Sequence, residues 1–141
     1  MILWDVNVWV YAFRSESPLH ATARGALTTS LDSGEGFLFC PMIAASFVRL
    51  VTNPRIFIEP SEPAEAWRFL DYVETSGNAR IAGIDRQAYA LFRHLCLTSR
   101  ATGNDVPDAL LAAAAMRYEA ELVTADKGLS RFSGVRVRLI T

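Results

Sequence analysis

The chain has 141 residues, of which 51% are hydrophobic and 21% are charged, and its net charge at pH 7 is −1. This length suits one domain with a sizeable core, so we expect residues 1–141 to form a single unit. The near-neutral charge argues against a broad basic surface for duplex nucleic acid, and any nucleic-acid contact is expected to be local.

Cysteine content and hydropathy indicate the compartment. Cys40 and Cys96 are far apart in apolar surroundings and lack CxxC spacing, which favours free thiols in a reducing cytoplasm over a thiol-metal site. Met1 is followed by only a few apolar residues without a basic segment. No apolar stretch approaches the roughly 18 residues that a membrane span requires. The sequence therefore predicts a soluble cytoplasmic protein.

Short apolar strands alternate with amphipathic helices along the chain. The predicted strands are 2–4, 37–40, 79–82, 122–124 and 135–139. The predicted helices are 6–13, one from about Pro18 to Ser33-Gly34, 42–51 after Pro41, one from about Glu62 to Ser76-Gly77-Asn78, one between an Asp85 cap and Gly103-Asn104, and 109–118. Residues 56–60 are expected to be loop. The alternation predicts a three-layer α/β/α sandwich around a mainly parallel sheet.

Aromatic residues are frequent near the N-terminus. Trp4, Trp9, Tyr11 and Phe13 follow alternating and helical spacing. Such residues could stack on bases, but this spacing is more typical of a core or a dimer surface. We expect the same of Trp67 and Phe69.

Three aspartates stand where an apolar run stops or a helix begins. Asp5 follows the first strand, Asp108 precedes the alanine-rich helix, and Asp126 follows the fourth strand. The carboxyl ends of parallel strands meet at one edge of a sheet, where ligands bind. Acids packed together repel one another unless a hard cation such as Mg²⁺ or Mn²⁺ neutralises them. Together they predict a metal site, although each alone also fits a helix cap or turn.

Several segments resemble a known family. The runs ILWDVNV with Asp5, GNDVPDALLAA with Asp108, and LVTAD with Asp126 resemble the PIN-domain family. The run SFVRLVTNPR, residues 46–55, resembles one branch of the VapC toxins of bacterial toxin-antitoxin pairs. The resemblance covers essentially the whole chain, including the order of its strands and helices.

This resemblance implies a PIN-like fold and an endoribonuclease toxin that depends on Mg²⁺ or Mn²⁺. The catalytic and metal-binding acids would be Asp5, Asp108 and Asp126. In such chemistry a metal-bound water attacks the phosphorus, and the metal charge stabilises the developing oxyanion. The resemblance also implies an RNA substrate, a toxin homodimer, and a VapB-type antitoxin whose C-terminal segment would lie across the active-site groove.

One departure from the family concerns the third helix. The family usually places a glutamate there, and the matching position is Ser46. Asp105, three residues before Asp108, could supply the missing carboxylate if both face the crevice, and the alternative is a solvated loop acid. Asn7 and Thr124 are further accessory candidates beside the acids.

Three residues near the end of the third helix could contact RNA phosphates or the carboxylates of an antitoxin. They are Arg49, Asn53 and Arg55. Cations at that end of a helix also interact favourably with its dipole without any further function.

Two other classes of protein stay open. Without the glutamate, the chain could be a PIN-like module that binds RNA or antitoxin and does not cleave, and metal-dependent turnover distinguishes this alternative. A receiver domain or a haloacid-dehalogenase-type phosphatase also places aspartates at strand ends. The phosphatase pattern requires a second aspartate at position 7, where this chain has Asn7. A receiver domain requires an aspartate after the central strand, and residues 37–40 are not followed by one.

Overall fold

Five strands form one sheet in the computed structural model, which describes residues 1–76 and 78–141. The strands are β1 (Ile2–Trp4), β2 (Phe37–Phe39), β3 (Ala79–Ile81), β4 (Glu121–Thr124) and β5 (Val137–Leu139). Their order in the sheet is β3-β2-β1-β4-β5, and each described pairing is parallel. The predicted parallel sheet is confirmed.

Helices connect the strands, as parallel pairing requires. They are α1 (Val6–Phe13), α2 (His20–Asp32), α3 (Pro41–Val51), α4 (Pro63–Glu74), α5 (Arg86–Ser99) and α6 (Asp105–Arg117), and a 3₁₀ helix spans Lys127–Arg131. The predicted α/β/α class of fold is confirmed. None of the described helices has the length and hydropathy to cross a bilayer.

Strand β1 lies at the centre of the sheet. Its Leu3 pairs with Leu38 of β2 and Leu122 of β4, and Trp4 pairs with Val123. The backbone N–H of Asp5 continues this ladder by donating to the carbonyl of Val123 over 2.9 Å. The ends of β1 and β4 are thereby held side by side, which places the residues after them at one edge.

Aromatic rings fill the core beneath this edge. Trp9 packs edge-on against Trp4, Phe37 and Phe69, with ring centroids 5.5, 5.5 and 6.0 Å apart. The prediction of a core location is therefore confirmed for Trp4, Trp9 and Phe69, which are at most 8% exposed. Trp67 is 50% exposed on α4 and lies outside the core, so for this residue the alternative of a dimer surface stays a prediction.

The clearest difference from expectation is the start of α6. It begins at Asp105, four residues before Ala109, so Asp105 and Asp108 both lie in its first turn. Pro107 is compatible with this turn because a backbone N–H there would have no partner within the helix.

Other boundaries shift by smaller amounts. Helix α5 ends at Ser99, before Gly103-Asn104, and Arg100 takes the left-handed conformation after it. Strand β5 is shorter at its start than predicted, and β2 and β3 are shorter at their ends. Helix α4 ends at Glu74, and Gly77, which we expected to help end it, lies outside the described residues.

Candidate active site

Asp5 stands between the end of β1 and the start of α1. Its Oδ1 caps the helix by accepting the backbone N–H of Val6 over 2.7 Å. Its Oδ2 accepts the hydroxyl of Thr124 over 2.6 Å and the side-chain amide of Asn7 over 3.0 Å. The residue is only 8% exposed. Both oxygens are thus fixed in direction. Asp5 is a helix cap, and it also belongs to the acidic edge, the sheet edge at which we consider Asp5, Asp108 and Asp126.

Asn7 and Thr124 join the two strand ends around Asp5. The Asn7 amide nitrogen lies 3.4 Å from the Thr124 hydroxyl, and its carbonyl accepts the backbone N–H of Ala125 over 3.3 Å. The Thr124 oxygen also accepts the backbone N–H of Asp126 over 3.0 Å. These contacts orient Asp5 and the turn that carries Asp126.

The electrostatics of Asp5 follow from its burial. Loss of hydration raises the pKa of its carboxyl, because burial disfavours the charged form. The hydrogen bonds from Thr124 and Val6 act in the opposite direction. The charges of Asp108 and Asp126 raise this pKa further. The charges of Asp108 and Asp126 are therefore felt at Asp5, at this edge of the sheet.

Asp126 and Asp108 reach this edge from different elements. Asp126 is exposed and caps the 3₁₀ helix, its Oδ1 accepting the backbone N–H of Gly128 over 2.8 Å. Asp108 is half-buried in the first turn of α6, with Oδ2 lying 3.2 Å from Nη2 of Arg131. Asp105 contacts the same nitrogen through Oδ1 over 2.9 Å. Asp105 is therefore a neighbour of Asp108 in an ion-pair cluster.

The fit to a metal ion depends on how these acids are arranged. Within residues 1–76 and 78–141, no three acidic, histidine or cysteine side chains are grouped closely enough to hold one. The donors are nevertheless hard carboxylate oxygens, which Mg²⁺ prefers, and the charges of Asp108 and Asp126 disfavour the charged form of Asp5. The chemistry of this donor set fits a magnesium or manganese ion, whereas the Asp108 carboxylate is paired with Arg131.

The residues of α3 and its following turn lie apart from this network of hydrogen bonds. Ser46 is half-buried and makes no side-chain hydrogen bond within the described part of the chain. Arg49 and Arg55 are exposed, and the Asn53 side chain accepts the backbone N–H of Arg55 over 2.9 Å, which shapes the turn. Their contact with RNA or an antitoxin stays a prediction.

Arg131 is the member of this edge that the sequence analysis missed. Its guanidinium contacts Asp105 and Asp108, donates to the carbonyl of Gly128, and lies 4.4 Å from the ring centroid of Phe132. The available signal was a basic residue five positions after Asp126. Nothing in that spacing indicates that its partners lie on α6.

Comparisons of sequence agree with the segments that suggested a family. The PIN domain model matches residues 2–135. Ribonuclease VapC43 of Mycobacterium tuberculosis is 37% identical over 138 residues, which cover 98% of this chain and 94% of that protein. Ribonuclease VapC31 of the same organism is 36% identical over 136 residues, which cover 96% of each chain.

Comparisons of structure give a similar result for the fold. VapBC2 from Rickettsia felis, solved with a DNA fragment of its promoter, aligns over 100% of both chains with a TM-score of 0.74 and 15% identity. VapC20 of Mycobacterium tuberculosis, described as a toxin that cleaves the sarcin-ricin loop, aligns over 96% of this chain and 99% of that one, with a TM-score of 0.68 and 14% identity. At these identities the likeness concerns the fold.

Proposed function

Because the chain belongs to the PIN-domain family, and within it to the VapC ribonucleases, we propose that it is a toxin that cleaves RNA with Mg²⁺ or Mn²⁺. One observation carries the proposal beyond family membership. The Asp5 carboxylate is buried at the sheet edge, held by Thr124 and Asn7, and influenced by the charges of two further acids. Such a site favours a divalent cation, which would relieve the repulsion.

The side chains divide the work at this edge. Asp5, Asp108 and Asp126 would hold the ion, and Thr124 and Asn7 fix the direction in which Asp5 presents its carboxylate. A bound ion supplies an activated water and positive charge for the phosphoryl oxygens. Because Asp5 is almost completely buried, its charge is poorly screened by solvent, and its pull on a cation is correspondingly strong.

The first test is cleavage of total bacterial RNA by purified, antitoxin-free protein with Mg²⁺, Mn²⁺ or EDTA. We expect discrete fragments that depend on metal, and a loss of rate of at least about 10²-fold in Asp5→Asn and Asp108→Asn. Glu121→Gln is the matched control. Glu121 begins β4, away from the acidic edge, and pairs with Arg138 over 2.7 Å, so this variant should keep its activity.

The opposite result has a defined meaning. If folded protein free of antitoxin leaves RNA intact with either metal, the metal-dependent nuclease is excluded. The PIN-like binding module then becomes the better account, with Ser46 in place of the usual glutamate as its cause.

We include an antitoxin partner in the proposal. Its support is a surface cavity of about 910 Å³ between the α1–α2 and α3–α4 connections. This cavity combines the exposed Ile56 and Ile58 with four carboxylates, those of Glu16, Glu59, Glu62 and Glu65. A segment with apolar and basic side chains would match it.

We also propose that the toxin forms a homodimer. Large apolar side chains stand exposed around β3 and α5, among them Ile81 at 58% and Leu97 at 61%. Contact with a second copy would remove such surface from water.

A further inference from the structure

We propose that Arg131 is a built-in counter-ion of the acidic site. In this proposal it pairs with Asp108 before a divalent metal binds, remains on Asp105 when the metal takes Asp108, and then faces an RNA phosphate. The inference rests on the proposed metal-dependent function and adds a cation that belongs to the chain itself.

One nitrogen atom of Arg131 serves two carboxylates. Its Nη2 lies 2.9 Å from Oδ1 of Asp105 and 3.2 Å from Oδ2 of Asp108. The two aspartates are three residues apart in the first turn of α6, a spacing that puts them on one side of the helix. Arg131 can therefore lose the longer contact and keep the shorter one.

Further contacts hold the guanidinium independently of Asp108. Its Nη1 donates to the carbonyl of Gly128, and its central carbon lies 4.4 Å from the ring centroid of Phe132. Phe132 is 2% exposed and belongs to the core. A cation over a fixed aromatic face is attracted by the ring. These contacts should therefore keep Arg131 at this edge after it loses its contact with Asp108.

Gly128 leaves the space in which this arrangement fits. A Cβ atom at Gly128 would lie 2.8 Å from Nη1 of Arg131 and 3.1 Å from Oδ1 of Asp126. A side chain there would force Nη1 of Arg131 to move and would crowd the Asp126 carboxylate. The guanidinium and the Asp126 carboxylate are thus both packed around Gly128, and Arg131 lies close to two of the three acids proposed to hold metal.

Two consequences of opposite sign follow for the ligands. A metal ion must displace Arg131 from Asp108, so the arginine weakens metal binding. Once released, its guanidinium remains beside the acids with a side chain that is 34% exposed. A planar guanidinium binds phosphate oxygens in a paired geometry, so the same arginine strengthens RNA binding. Asp105 acts as a positioning residue for Arg131 and not as a metal ligand.

The test measures the affinity for Mn²⁺ by calorimetry in the absence of RNA. Arg131→Ala should bind Mn²⁺ about two- to fivefold more tightly than the wild type, which is the range that loss of one exposed ion pair supports. Asp105→Asn should bind it more weakly by a similar factor, because Arg131 then pairs with Asp108 alone. In the Arg131→Ala background, Asp105→Asn should have no effect.

Two further variants complete the design. Arg138→Ala removes the same charge from the Glu121 pair, where the two side chains are 2.7 Å apart, and should leave the affinity for Mn²⁺ unchanged. Arg131→Lys keeps the charge but replaces the planar fork by a single ammonium. It should shift the affinity in the same direction as Arg131→Ala by a smaller factor, and it serves if the alanine variant does not fold.

RNA cleavage gives the second readout. The KM of Arg131→Ala for RNA should rise about tenfold through the loss of one charged contact, while its affinity for Mn²⁺ rises as well. If Arg131 had a purely structural role, Arg131→Ala would bind both Mn²⁺ and RNA more weakly. Unchanged or weaker Mn²⁺ binding by folded Arg131 variants would overturn this inference alone. If the wild-type protein binds no Mn²⁺, or Asp108→Asn binds it equally well, the proposed metal-dependent function fails first.

Discussion

The Asp5 carboxylate has a structural role besides the metal-binding role that we propose for it. One oxygen satisfies the Val6 N–H at the start of α1, and the other accepts from Thr124 across the junction between β1 and β4. An unpaired buried carboxylate would be strongly destabilising, and these hydrogen bonds offset part of that cost. The remaining cost is visible as the raised pKa of Asp5.

This raised pKa predicts a pH-dependent difference in stability. Because the folded-state pKa exceeds the ordinary value of 3.8, the stability gained by protonating Asp5 is complete below that value. It is lost as the pH rises through the folded-state pKa. In EDTA, the melting temperature of Asp5→Asn relative to wild type should therefore increase between pH 4 and pH 7.

Calorimetric melting curves of both proteins across this range check the prediction. The asparagine also removes an acceptor oxygen for the Thr124 hydroxyl and the Asn7 amide. This loss lowers the melting temperature of the variant and cannot produce the expected increase. A difference in melting temperature that is flat across the range would contradict an ionised, destabilising Asp5.

The sequence revealed the acids more readily than their partners. Asp5 and Asp126 could be found because each follows an apolar strand, a local pattern. The ion pairs of Arg131 span 26 and 23 positions to Asp105 and Asp108, and no local pattern carries such a link. From sequence alone Asp105 could be a metal ligand or a solvated loop acid, whereas the structure shows an ion-paired residue in the first turn of α6.

At the scale of elements, α5 and α6 are tied together by Asp85. Its Oδ1 caps α5 by accepting the backbone N–H of Ala88 over 2.9 Å, and its Oδ2 accepts from Nε of Arg117, in the last turn of α6, over 2.8 Å. The hydrogen bond from Arg117 is the main reason that the pKa of Asp85 is lowered.

Removing this tie should destabilise the protein measurably. Asp85→Ala loses the cap and the ion pair and should lower the melting temperature by about 2–4 °C, whereas Asp85→Asn keeps a capping oxygen and should lower it less. The pKa of Asp85 is lowered, so its ionic contribution is present above 3.8 and is lost as the pH falls through the folded-state pKa. The gap between wild type and Asp85→Asn should therefore close in acid, and equal melting of all three proteins at neutral pH would refute the tie.

The order of strands and helices was predictable because each has its own apolar period. The first and last residues of these elements were harder to predict. The sequence predicted a start at Ala109, yet α6 begins at Asp105, and its first turn tolerates Pro107 as its third residue. The 3₁₀ helix Lys127–Arg131 has no periodic sequence pattern from which it could be predicted. Its start is stabilised by the Asp126 cap.

At the scale of the whole molecule, the net charge of −1 limits how RNA can be held. The protein has no broad excess of positive charge to release counterions over many phosphates. With only two or three phosphate contacts on a single strand, affinity for RNA should fall about tenfold between 50 and 200 mM salt.

Fluorescence titration of a labelled RNA with the Asp108→Asn variant would measure this dependence without cleavage. The double variant Asp108→Asn/Arg138→Ala is the control, because Arg138 pairs with Glu121 and is not expected to contact RNA. Its affinity for RNA should depend on salt in the same way as that of Asp108→Asn alone. A fall of about 10³-fold or more would show that six or more phosphates are contacted, and that a wider basic surface exists.

The central place of β1 in the sheet also determines when the acidic edge can assemble during synthesis of the chain. Asp5 is synthesised early, but the Thr124 hydroxyl that holds it belongs to a residue 119 positions later. Strand β1, which precedes Asp5, pairs with β2 on one side and with β4 on the other. Pairing between such distant segments forms only when the intervening chain has been synthesised. A nascent chain on the ribosome, or a fragment released before β4, therefore carries Asp5 without the strand that completes its surroundings. The cell is exposed to an assembled acidic edge only after nearly the whole message has been translated.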